Sequence, residues 1–138
     1  WLSEYETRTI WGNWIIENRQ QFLSYDAVDK AYFGYAYNQF NRFQIGPIKK
    51  RKHARHCLRI LRQGLGLLQT GNLEVRIENP EEYFALDDMS DQQVSEWLNA
   101  EFIKTERLKP LSDDSLLRTT PNRRLATEIL QEIRKRYV

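Results

Sequence analysis

Apolar residues in this chain recur mostly at spacings of three and four, the period of one helix face. Ser3 followed by Glu6 has the form of a capping box, and Trp11, Trp14, Ile15 and Phe22 give the segment after it an aromatic-rich apolar side. A second helix is predicted to start near Asp26. It carries Val28, Tyr32, Tyr35, Ala36, Phe40 and Phe43 and stops at Gly46-Pro47. The strongest pattern spans residues 49–70, where Ala54, Cys57, Leu58, Leu61, Leu65 and Leu68 form one stripe and Gly71 suits a left-handed stop. Leu73, Val75 and Ile77 then alternate with Glu74 and Arg76, a period of two that predicts a short strand or extended arm ending at Asn79-Pro80. Another helix follows Ser90, with Val94, Trp97, Leu98 and Phe102 on one side. Pro110 and Ser112-Asp113-Asp114 mark an ordered loop. Thr120 as cap and Pro121 at the first position open a last helix, whose stripe is Leu125, Ile129, Leu130, Ile133 and Tyr137. The expected fold is mainly α, about five helices with one short extended or β arm.

Length and composition narrow the class. At 138 residues the chain fits one domain, and 41% hydrophobic with 29% charged residues describes a folded protein rather than a disordered one. No apolar run approaches the ~18 residues of a membrane span, so no membrane partner is expected. Cys57 is the single cysteine, which excludes an internal disulfide and any multi-cysteine metal site and points to a reducing compartment, the cytoplasm. The chain opens on Trp1 rather than Met, which reads as a piece of something longer.

Charge adds a sharper feature. Between residues 49 and 62 stand Lys49, Lys50, Arg51, Lys52, Arg55, Arg59 and Arg62, with His53 and His56 among them and no acid. Such a block suits a phosphate-bearing partner. The competing reading is a solvated face, neutralised in part by the acidic block Glu78, Glu81, Glu82, Asp87, Asp88 and Asp91 folding across it. On a wheel of 100° per residue, Lys52, His56, Arg59 and Gln63 lie opposite the stripe centred on Leu61. Three donors on one face fit a nucleotide or nucleic-acid phosphate; Lys49 and Arg55 are auxiliary cations. Tyrosines such as Tyr35 at helical spacing are more often core than ligand contacts.

The pattern Lys52-x-x-x-His56-x-x-Arg59-Ile60-Leu61, then Gly64, then Leu67-Leu68-Gln69-Thr70-Gly71-Asn72-Leu73-Glu74-Val75, resembles the C-terminal half of a family of DNA-polymerase-β-like predicted nucleotidyltransferases of an RNA repair pathway. Phe22-Leu23-Ser24 and Gly34-Tyr35-Ala36-x-x-Gln39 resemble an upstream segment of the same family. The resemblance implies the helical half of a two-part α/β enzyme that transfers a nucleotidyl group, with RNA as acceptor. It implies a nucleoside triphosphate and Mg²⁺ as ligands of the whole enzyme, phosphates held by Lys52, His56 and Arg59, and Tyr35 and Gln39 as contacts to a base or ribose.

The departures are specific. Polymerase-β-type transfer needs a Gly-Ser turn for the triphosphate and an Asp-x-Asp pair on a strand for two metal ions. This sequence has neither; Asp87-Asp88 and Asp113-Asp114 are adjacent pairs, which on a strand would face opposite ways. In the family that core precedes the matched region, so it is expected before Trp1. The family's Leu-Pro-x-x-Pro-Asp segment also differs here, as Leu116-Leu117-Arg118-Thr119-Thr120-Pro121-Asn122. A second enzyme class remains open: Arg51 and His56 have the Arg-x4-His spacing of HEPN-type metal-independent ribonucleases, although ~140° separates them on the wheel. The non-enzymatic alternative is a basic helical RNA-binding or protein-interaction module. Gly64-Leu65-Gly66, inside a helical stripe, predicts a close helix crossing rather than a phosphate loop.

Overall fold

The computed structural model describes residues 9–46 and 50–137. The Ser3–Glu6 capping box, Pro47 and Lys49 lie outside them, as does the side chain of Tyr137. The architecture is mainly α. Helix α1 spans Ile10–Glu17, with Thr9 as its cap, its hydroxyl accepting from Gly12 N at 3.0 Å. After a 3₁₀ turn, Ser24 caps α2 (Tyr25–Val28) by accepting from Ala27 N. A π-helical turn, Asp29–Phe33, joins α2 to α3 (Gly34–Ile45) without a break in the helical path. Lys109 pins that turn, pairing with Asp29 at 2.6 Å above the Phe33 ring.

The central element is α4 (Arg51–Thr70), which packs against α3 on one side and α6 on the other. Its stop is as expected: Gly71 has φ 71°, a left-handed conformation that a side chain would strain. Ala54, Cys57, Leu58, Leu61 and Leu68 are fully buried, in one core with Phe43, Leu86, Val94 and Leu98. Leu65 is only half-buried, whereas Leu67 is buried beside Val28 and Tyr32, because α2 and the π turn cover a second side of α4. Gly64 is the crossing point. A Cβ there would stand 2.7 Å from Tyr32 Cβ, so only glycine permits the approach. Gly66 differs: a Cβ there meets nothing within 4 Å. A glycine inside a helix costs roughly 0.5–1 kcal/mol relative to alanine, and at Gly66 no packing offsets it.

The arm after Gly71 corrects the strand expectation. Residues 72–79 form no ladder, and the described residues contain no strand, only an isolated bridge between Ser24 and Arg118. A period of two makes a strand only where another edge can pair with it. Here α4 is the neighbour, and Gln63 donates to Glu74 O at 3.2 Å. A short helix that the pattern did not predict follows, α5 (Pro80–Phe84), closing over α4 through Tyr83 and a 3₁₀ turn that buries Leu86. Helix α6 (Asp91–Leu108) starts with a full capping box, Ser90 with Gln93. Residues 109–122 wrap back over the helices, with Ser115 donating to Leu68 O at 2.6 Å and Tyr25 N to Arg118 O at 2.7 Å. Helix α7 (Arg123–Tyr137) starts later than the Thr120–Pro121 reading. Asn122 supplies the cap, accepting from Leu125 N, while its own N–H is held by Gln21 O. The described residues thus form seven α segments, six if α2 and α3 count as one. No helix among them is long and apolar enough to cross a membrane.

Candidate nucleic-acid interface

Seven cations and two histidines lie between residues 49 and 62, and folding sets two groups among the described ones apart. The first is neutralised by the acidic block. Arg51 donates to Asp91 and to Met89 O, both at 2.6 Å, with its guanidinium over the Phe43 ring. Arg55 pairs with Asp87 and lies over Phe84. Arg62 pairs with Glu82 at 2.6 Å, approaches Glu101 and lies over Tyr83. These pairs fasten α5, the 3₁₀ turn and the start of α6 to α4. Arg55, an auxiliary phosphate candidate, is therefore already engaged.

The second group is the ridge. Lys52 and Arg59 have no carboxylate partner among the described residues. His56 stands between them, and the fold brings all three to one cleft of about 260 Å³ walled by Ile77, Pro80, Tyr83 and Phe84. Arg59 approaches His56 Nδ1 at 2.9 Å. A guanidinium can only donate, so Nδ1 accepts and the ring proton sits on Nε2. The Tyr35 ring meets His56 edge-on, centroids 5.4 Å apart, and keeps an exposed face. Arg59 Nε is buried with no hydrogen-bond partner, a costly state for a charged donor.

Gln39 sits elsewhere than a base contact should. It is 3% exposed, and its Oε1 is 2.8 Å from His53 Nδ1, so it positions that histidine. His53 was not among the sequence candidates. The signal was the pairing of two polar positions across the α3–α4 seam, which no single-helix wheel displays. Tyr83 and Phe84 were missed with α5; their one clue was an aromatic pair directly after Pro80. Arg51 and His56 are not brought to a common partner, since Asp91 and Met89 hold the first while Arg59 and Tyr35 hold the second.

Both histidines titrate below the ordinary value of 6.5. Burial is the main cause, followed by Lys52, Arg42 and Lys50 for His53, and by Arg59 and His53 for His56. The unfolded chain thus takes up protons at a pH where the folded chain still refuses them. The stability this confers at neutral pH is lost as pH falls from about 6.5 toward the lowered values. Melting should therefore drop between pH 7.5 and 5.5, and less steeply in the His53→Gln/His56→Gln double variant; a wild-type melt that rises on acidification would contradict this. Burial pushes the Cys57 thiol up to about 12, so it is no nucleophile at neutral pH.

No group of three or more His, Cys, Asp or Glu side chains suited to a metal occurs among the described residues; Asp91, Asp87 and Glu82 are held by arginines, while Glu74 and Glu78 line a cleft shared with Arg59. No protein-family model matches the chain, nor does any curated protein or solved structure.

Proposed function

We propose that the outer face of α4 is a phosphate-binding surface for RNA or a nucleotide, and that the chain is the nucleic-acid-holding helical part of a polymerase-β-like nucleotidyltransferase. One observation carries the phosphate reading. Arg51, Arg55 and Arg62 each have a carboxylate, whereas Lys52 and Arg59 have none among the described residues and flank a neutral histidine in a cleft. Unspent cations beside exposed aromatic rings, here Tyr35 and Phe84, suit a single-stranded phosphate backbone with bases near enough to stack. The transferase part of the reading rests on the sequence resemblance alone. In it this chain contributes binding, and carboxylates outside the described residues would hold the metal. A non-enzymatic RNA-binding module would use the same surface.

Fluorescence anisotropy with a short single-stranded RNA tests the surface. The chain should bind it in a salt-dependent manner, and Lys52→Ala should weaken binding about fivefold or more with a shallower salt slope. Lys135→Ala is the control, since that lysine sits on α7 and pairs with Glu132. Equal losses in the two variants would make the ridge an ordinary solvated face.

A further inference from the structure

The ridge cleft does not end at Arg59. Beneath the arm a second cleft of about 290 Å³ continues along α4, and Arg59, Ile77 and Tyr83 line both. Together they are of the size of small-molecule sites, about 300–1,000 Å³. The extension differs in chemistry from the ridge. Gln63 and Asn79 present amide groups, Ile77 and Tyr83 are apolar, Gly66 leaves the α4 backbone bare, and the charges of Arg62 and Arg76 are matched by Glu74 and Glu78, so beyond Arg59 the lining carries no net charge. That glycine has no part in packing: Gly64 is required by Tyr32, but a side chain at Gly66 would enter empty space. A helix-weakening residue with no partner in the fold is explained where something else approaches the backbone. Arg59 joins the two halves, its buried Nε unpartnered at their junction.

We propose that this second cleft is a nucleoside subsite: a nucleotide places its phosphates on Lys52, His56 and Arg59 and its sugar and base beneath the arm, against Gly66. The Asn79 amide supplies both donor and acceptor, and Gln63, with one N–H already on Glu74 O, adds its Oε1 and second N–H, which is what reading a base edge requires. This inference rests on the phosphate reading above.

Calorimetric titration of the chain with each of the four ribonucleoside triphosphates, and with inorganic tripolyphosphate, separates the two. At least one nucleotide should bind tenfold or more tightly than tripolyphosphate. Gly66→Leu, which fills the cleft with a good helix former, should erase that advantage while leaving tripolyphosphate affinity within twofold and melting temperature no lower than wild type. Should Gly66→Leu fold poorly, Asn79→Ala serves, because its side chain caps no helix; it should weaken the nucleotide about threefold and spare tripolyphosphate. Equal wild-type affinities for nucleotide and tripolyphosphate, or a nucleotide affinity that neither variant changes, overturns the subsite and leaves the phosphate face standing. If neither probe binds the wild type, the phosphate reading falls and the subsite with it.

Discussion

Leu61→Ala lowers the unfolding free energy by about 2–5 kcal/mol, the range for leucine truncations at fully buried sites. Leu61 has no exposed surface and lies mid-way along α4, between the faces covered by α3 and α6, so little can move in to fill the space. The transfer term alone is about 2 kcal/mol for a side chain of this size, and the unfilled cavity adds to it. Leu65→Ala, on the same predicted stripe but half-buried, costs less. Denaturant melts of the two variants test the order. A larger loss at Leu65 would mean that α4 is rotated from the orientation described.

Arg59→Ala weakens RNA and nucleotide binding about tenfold or more, about 1.4 kcal/mol, while changing stability by no more than about 1 kcal/mol. The two effects part because Arg59 does little for the fold. Among the described residues it has no carboxylate, its guanidinium bonds to His56, and its buried Nε is unsatisfied, so truncation removes a desolvation cost along with the contact. Binding loses one phosphate contact, and the slope of log affinity against log salt becomes shallower by about 0.7–0.9. Anisotropy over a salt series, beside thermal melts, reads both. Wild-type affinity with an unchanged slope would remove Arg59 from the interface. A large drop in melting temperature with intact binding would make it a structural residue.

Local rules are enough to foresee the helical class, the buried stripe of α4 and the Gly71 stop. A period of 3.6 places Ala54, Leu58, Leu61 and Leu68 on one side whatever they pack against, and a left-handed position selects glycine. Opposite that stripe, the same wheel put Lys52, His56 and Arg59 together, and the fold keeps them in one cleft. What local pattern could not supply was partnership. The arm alternates like a strand, yet it has no edge to pair with and lies as coil beside Gln63. Four arginines in the basic block look alike in sequence, and only the packing of α5 and α6 decides that Arg51, Arg55 and Arg62 meet carboxylates while Arg59 does not. Gln39 reads as an exposed amide until α3 and α4 close on it and turn its oxygen to His53. Gly64 and Gly66 form one motif on the page and two roles in space, a helix crossing and an open floor. Periodicity is written in neighbours a few residues apart, whereas charge neutralisation, burial of polar groups and empty volume depend on residues tens of positions away, which only the tertiary structure brings into contact.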